Sequence, residues 1–152
     1  MDATTRRLVD YALEARYDVL CAHAVHETKR RLIDTLGCAI GAYDEPLSVL
    51  ARKVAARSQG DPAARVWGSA ATSTPEIAAF ANGVMLRLMD ISDTYLGKAR
   101  GHPSDVTAAV LAAADVAHAD GRAVIAANAT AYDVYCSLCN AYDWNSHGWD
   151  QP

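Results

Sequence analysis

Alanine-rich stretches with helical periodicity constrain the fold of this chain more than any other feature. In the segment 73–89, STPEIAAFANGVMLRLM, apolar residues recur three or four positions apart, as on one face of an α-helix: Ile77, Phe80, Ala81, Val84, Leu88 and Met89. No stretch of the chain alternates polar and apolar residues for long. The pattern therefore predicts an all-α fold in which any β-sheet is marginal.

Five further segments carry the helical pattern. They are residues 3–16, 22–43, 44–58, 103–119 and 122–142. Thr74 followed by Pro75 is typical of a helix start, as is Asp44 or Glu45 followed by Pro46. A short extended piece is expected near residues 65–67. Gly37 and Gly41 lie one turn apart, which predicts a close crossing with a neighbouring helix.

Length and charge limit the functions open to the chain. Its 152 residues correspond to one ordinary domain, and its net charge of −4 argues against nucleic acid as a partner. The N-terminus lacks an apolar signal core, and the apolar run at 36–43 is too short to cross a bilayer. We therefore expect a cytoplasmic protein with reduced cysteines and no membrane partner.

Cys136 and Cys139 stand at a spacing seen in redox and zinc sites. A zinc site needs further ligands, and His147 is the only candidate near them in sequence. Both cysteines fall on an apolar helix face, which favours buried structural thiols. No metal site is predicted.

The stretch MDISDTYLGKARGHPSD, residues 89–105, is unusually polar for a connection between two helices. We call residues 90–102 the polar break. Asp90 and Thr94 are four residues apart, so one residual helical turn would place them on one side. Lys98 and Arg100 add positive charge.

His102 directly precedes Pro103, where the next helix is expected to open. The free backbone N–H groups from Ser104 onward are suited to an anion, and an imidazole beside them can act as acid or base near neutral pH. Asp105 would oppose a bound anion. Polar loops with capping Asp and Ser residues are also common, so spacing alone leaves a structural and a catalytic interpretation open.

Several stretches resemble segments of the MmgE/PrpD family and occur in the same order along the chain: ETKRRLIDTLGCAIGAYDEP, ARVWGSAATSTPEIAAFANGVMLRLMD, RLMDISDTYLGKARGHPSD, GRAVIAANATAYDVYCSL and HGWD. The resemblance implies the N-terminal portion of an all-helical domain over residues 1–152, with the family's later basic residues and lid domain absent. It therefore implies a truncated chain, a fragment of an enzyme that is inactive alone. A homodimer and no cofactor are also implied.

The resemblance assigns catalytic roles to Asp90, Thr94 and His102. Substrate-binding roles fall on a second set: Asp93, Lys98, Arg100, Ser104 and Asp150. The implied reaction is proton removal from a carbon beside a carboxylate of a small di- or tricarboxylate, without a metal. Which of Asp90 and His102 is the acid and which the base stays open.

The long insert before His102 is similar to the dehydratase branch of the family, and this favours dehydration of 2-methylcitrate or a similar hydroxy acid. Ile91 and Ser92 depart from the residues common in the family, which leaves the substrate open. Decarboxylation and epimerisation are alternatives within the family. A non-catalytic helical module that pairs with another chain is an alternative from a different class.

Overall fold

The computed structural model describes residues 1–149. Its six α-helices are α1 (Ala3–Leu13), α2 (Ala22–Gly41), α3 (Pro46–Ala55), α4 (Pro75–Arg87), α5 (Asp105–Val116) and α6 (Gly121–Ala141). Two 3₁₀ turns, Tyr17–Val19 and Asn145–His147, complete the helical elements of the described chain. The all-α prediction is confirmed.

Two short antiparallel ladders interrupt the helices. Strands β1 (Ala64–Arg65) and β2 (Thr72–Ser73) pair in the loop between α3 and α4. Strands β3 (Tyr95–Leu96) and β4 (Arg100–Gly101) pair within the polar break. The marginal sheet expected from the sequence thus consists of two-residue strands.

Helices α2 to α5 enclose the centre of the molecule, which we call the helical core. Its side chains are mostly small and fully or nearly fully buried: Ala39, Ala51, Ala55, Ala64, Val66, Ala78, Ala81, Met85, Leu86, Ala108 and Ala112. Alanine lets helix backbones approach closely, because its side chain is a single methyl group. The extensive contacts of α4 with α5, α3 and α2 place α4 at the middle.

Helices α3, α4 and α6 begin within about one residue of where the sequence predicts them. Thr74 and Glu45 are the N-cap residues of α4 and α3, each followed by proline in the first turn. Asp120 caps α6 by accepting the N–H of Ala123 at 2.8 Å. The first helix is shorter than predicted and ends at Leu13.

The prediction for the two glycines of α2 is half wrong. A methyl group at Gly41 would meet the sulfur of Met89 at 3.3 Å, so a close contact exists there. A methyl group at Gly37 would have no neighbour within 4 Å. Gly37 therefore does not mark a helix crossing among the described residues.

Nothing between residues 1 and 149 forms a helix that is both long and apolar enough to pass through a bilayer. The cytoplasmic location stays a prediction.

Candidate active site

The polar break leaves α4 through a tight left-handed turn. Asp90 has φ of 52°, a conformation that aspartate tolerates better than most residues. Its N–H donates to the carbonyl of Arg87 at 3.1 Å, and its carboxylate turns back to pair with the guanidinium of Arg87. The predicted helical turn between Asp90 and Thr94 is wrong, because the chain passes into the β3–β4 hairpin instead.

Residues far along the chain hold the hairpin in place. The N–H of Ala99 donates to the carbonyl of Cys139 at 2.9 Å, and the amide of Asn140 donates to the hydroxyl of Tyr95 at 2.7 Å. The N–H of Arg100 donates to the side-chain oxygen of Asn145 at 3.1 Å. The polar break is therefore fastened to the C-terminal end of α6 and to the turn that follows.

A cavity of about 650 Å³ lies between the hairpin and this turn. Its lining comprises Arg87, Asp90, Thr94, Lys98, Arg100, Gly101, His102, Asp143, Asn145 and Ser146. The structure thus brings together all three residues with a predicted catalytic role, along with Lys98 and Arg100. Three of the side chains are cationic and two are carboxylates, which leaves an excess of positive charge before His102 is counted.

The imidazole of His102 is held in one orientation. Its Nδ1 lies 2.7 Å from the backbone carbonyl oxygen of Asp93, and its Nε2 lies 3.9 Å from a carboxylate oxygen of Asp90. A carbonyl oxygen can only accept a hydrogen bond, so Nδ1 carries the proton of the neutral ring. Nε2 then keeps its lone pair and is directed towards the cavity.

The pKa of the Asp90 carboxyl is lowered, first by the hydrogen bond from Arg87 and then by the positive charge of that side chain. Asp90 is therefore ionised at neutral pH. Asp105 shows the opposite behaviour: burial raises its pKa, although Arg87 lies 3.6 Å away and opposes that rise. The two aspartates next to Arg87 thus respond to different surroundings.

Two predicted substrate-binding residues lie outside the cavity. Ser104 is fully buried, and the carboxylate of Asp93 accepts its N–H at 3.0 Å. The anion at the start of α5 is therefore the protein's own Asp93, where the sequence suggested room for a substrate. Asp150 lies outside the described residues.

Besides Gly101, four cavity residues with polar side chains were missed in the sequence: Arg87, Asp143, Asn145 and Ser146. The i, i+3 spacing of Arg87 and Asp90 at a helix end is a signal that could have identified the arginine. The other three come from the turn after α6. Only the fold brings that turn to the polar break, and no local sequence pattern predicts that the two lie together.

The cysteine pair of α6 lies apart from this chemistry. Burial raises the pKa of both thiols, that of Cys136 to about 11, and a protonated thiol is a poor nucleophile and metal ligand. Cys139 is fully buried. Within residues 1–149, no three His, Cys, Asp or Glu side chains cluster as metal ligands.

Comparison with known proteins gives one family. The model of the MmgE/PrpD N-terminal domain matches residues 6–152. The chain is 38% identical over 109 residues to a 2-methylcitrate dehydratase of Cupriavidus necator, and 35% and 34% identical over 109 residues to proteins of the same name from Salmonella typhimurium and Escherichia coli. Each alignment covers 71% of this chain and 22% of the relative, so the chain spans a minor part of these relatives' length.

Proposed function

The chain belongs to the MmgE/PrpD family, and on that premise we propose that it supplies part of the active site of a hydro-lyase. The substrate would be 2-methylcitrate or a similar hydroxy-tricarboxylate, the acid in the name of the relatives. One observation carries the proposal: the Nε2 of His102 lies 3.9 Å from the Asp90 carboxylate, and both residues line a cavity with an excess of positive charge.

Lys98 and Arg100 are the groups that we assign to the substrate carboxylates. Both side chains are exposed, and neither forms an ion pair with another residue between 1 and 149. Their charges are therefore available to an incoming anion. Thr94 lines the same cavity and offers a hydroxyl that can donate to a carboxylate oxygen.

His102 is the group that we assign to proton transfer. Asp90 has a lowered pKa, so at neutral pH it neither carries a proton to donate nor competes well for one. The neutral imidazole has its lone pair on Nε2, directed into the cavity. Asp90, 3.9 Å away, is placed to stabilise the imidazolium that forms when Nε2 takes up a proton.

The proposed dehydration then follows in two coupled proton steps. The Nε2 of His102 removes a proton from the carbon beside a substrate carboxylate, and the electron pair of that C–H bond forms the carbon–carbon double bond. The C–O bond on the adjacent carbon breaks, and the imidazolium returns its proton to the departing hydroxyl as water. One imidazole can serve both steps, so in this proposal His102 is both the base and the acid.

The test replaces His102 in the complete open reading frame that contains this chain. His102→Gln is expected to lower kcat at least about 100-fold, since general acid–base catalysis contributes about 10² to 10⁴. The exposed His23 on α2 supplies the matched control, His23→Gln, which should keep wild-type kcat. Double-bond formation is followed by ultraviolet absorbance with 2-methylcitrate and with citrate. Normal turnover by His102→Gln would show that the assignment is wrong.

Product analysis in the same assay separates the reactions known within the family. Dehydration yields an unsaturated tricarboxylate and water. Release of carbon dioxide from an unsaturated tricarboxylate would instead identify a decarboxylase. Inversion at one carbon with no change in composition would identify an epimerase.

A second candidate function rests on a different observation. Large apolar side chains are exposed on both α2 and α3, among them Ile33 and Ile40, each more than 70% exposed, and Leu47 and Leu50, each more than half exposed. Such surfaces often mark contacts between chains. A homodimer formed through them, with no turnover of any tricarboxylate tested, would favour a non-catalytic interaction module. Light scattering over a range of concentrations measures that state.

A further inference from the structure

Asp93 makes hydrogen bonds to the residues on both sides of Pro103. Its backbone carbonyl accepts the Nδ1 proton of His102 at 2.7 Å. Its carboxylate accepts the backbone N–H of Ser104 at 3.0 Å. A single residue of the polar break therefore holds both the imidazole and the first turn of α5.

Groups from other elements surround the Asp93 side chain. Its side chain is only 6% exposed, and the second carboxylate oxygen lies 4.0 Å from the guanidinium of Arg31 on α2. Tyr132 of α6 is close behind it; burial, and then the charge of Asp93, raise the pKa of that phenol. The Asp93 carboxylate thus lies next to groups from α2, from α6 and from the residue that precedes α5.

The hydrogen bond between the Asp93 carbonyl and His102 determines which ring nitrogen carries the proton, which the hydrogen bond between the Asp93 carboxylate and Ser104 does not. Either nitrogen of a neutral imidazole can carry the proton, and the hydrogen bond made by one nitrogen decides the state of the other. With Nδ1 donating to Asp93, the lone pair lies on Nε2, which faces the cavity. If the carbonyl shifted, part of the population would carry the proton on Nε2 and could not accept another there.

We propose that Asp93 is a positioning residue that acts through His102. Its carbonyl fixes the tautomer of the imidazole, and its carboxylate fixes the place of that carbonyl by holding the N–H of Ser104. The proposal deepens the proposed function, and it rests on His102 being the proton-transfer group. It assigns Asp93 no contact with the substrate.

The first measurement is the tautomer of His102, which requires no catalysis. In full-length protein labelled with ¹⁵N-histidine, the ring nitrogen shifts report which nitrogen carries the proton, and His102→Gln assigns the resonance. We expect the wild type to carry it on Nδ1, and Asp93→Ala to show a mixture of the two tautomers. A wild-type ring protonated on Nε2 overturns the proposal without any Asp93 variant.

The second measurement is kinetic and uses a conservative rescue. Asp93→Ala is expected to lower kcat about 10- to 100-fold, with KM changed less than about threefold, because displacement of a catalytic group slows chemistry more than binding. Asp93→Asn keeps an acceptor for the N–H of Ser104 and should recover most of the lost kcat. Equal kcat for wild type and Asp93→Ala overturns the positioning role.

These outcomes can be told apart from failure of the proposed function. If His102→Gln turns over normally, the proton-transfer assignment fails, and the tautomer measurement still reports whether the Nδ1 of His102 donates to Asp93. If Asp93→Ala does not fold, Asp93→Asn remains: the amide proton of Ser104 should move upfield when a carboxylate acceptor becomes a neutral one. An unmoved Ser104 amide overturns the carboxylate half of the proposal.

Discussion

The helical core and the polar break are held together by different kinds of contact. In the core, small apolar side chains of α2 to α5 pack directly on one another, and Ala55, Ala78 and Ala81 have no exposed surface. In the break, the hairpin makes hydrogen bonds to α6 and the turn after it, at least 33 residues further along the chain. The helical core is therefore close-packed, while the polar break is held in place by a few hydrogen bonds.

The difference separates stability from chemistry. Close-packed interiors lose free energy whenever a side chain is removed, because the gap does not close fully. A loop held by a few hydrogen bonds contributes less to the free energy of unfolding than a close-packed core does. It can present exposed charges such as those of Lys98 and Arg100. Variants in the core should therefore change stability, whereas variants in the break should change turnover.

The largest effect on stability is expected for Met85, whose side chain is fully buried in the helical core. Met85→Ala should lower the free energy of unfolding by about 2–5 kcal/mol, through lost apolar burial and the cavity left behind. Met89 is 44% exposed just beyond the same helix and gives the matched control. Urea unfolding followed by circular dichroism measures both variants. Equal losses for Met85→Ala and Met89→Ala would mean that burial in the helical core does not determine the size of the loss.

The next prediction tests the place where the break is fastened. A methyl group at Gly101 would clash with the ring and the hydroxyl of Tyr135, and that hydroxyl accepts the N–H of His102 at 3.1 Å. Gly101→Ala should cost about 1–3 kcal/mol by overpacking, and it should also lower kcat, because His102 moves with its anchor. The predicted loss of activity exceeds what the loss of folded protein explains.

Gly121 provides the control for that variant. It lies at the start of α6, and a methyl group there would meet no other atom within 4 Å, so Gly121→Ala should be neutral or slightly stabilising. Thermal unfolding and kcat are measured for both glycine variants. A Gly101→Ala protein with wild-type stability and turnover would mean that the anchor at Tyr135 is not needed.

The sequence predicts the extent of α4 well because its signal is local. The spacing of Ile77, Phe80, Ala81 and Val84 indicates a helix, and proline after Thr74 reports where that helix begins. Helical periodicity depends only on near neighbours in the chain, so it needs no knowledge of the fold. The predicted buried face of α4 is largely wrong, since Phe80 and Met89 lie on the predicted apolar stripe and are 56% and 44% exposed. The buried residues of that helix are Ala78, Ala81, Asn82, Met85 and Leu86.

The polar break is predictable only in part. Its residue types indicate a site, and five of its predicted residues meet in one cavity. The geometry could not be predicted, because the hairpin depends on Cys139, Asn140 and Asn145, which no local pattern links to it. Asp93 is the clearest case. The family resemblance implies an acid that binds substrate, which stays a prediction, and no local pattern indicates that its carboxylate also accepts the N–H of Ser104.

The smallest predicted effect concerns Asp105, which lies where the break joins α5. Burial raises the pKa of its carboxyl above the ordinary value of 3.8, which means that the ionised form is less favourable in the folded than in the unfolded chain. The contribution of Asp105 to the stability of the wild type should therefore fall as pH rises from below 3.8 through the raised pKa. Asp105→Asn has no such charge, so its stability relative to wild type should increase over that interval and then level off.

Asp115 on the same helix gives a control of opposite sign. Burial also opposes its ionisation, but hydrogen bonds from Arg65 outweigh that effect and lower the pKa of its carboxyl. Asp115→Asn should therefore lose stability relative to wild type as pH rises through the acid range, since the ionised aspartate stabilises the folded chain. Urea unfolding at a series of pH values from about 3 to 7 measures both differences. Opposite slopes of relative stability against pH would show that the Asp105 carboxylate costs stability, while the Asp115 carboxylate, which links β1 to α5, adds to it. Parallel slopes would mean that the two carboxylates do not differ in this way.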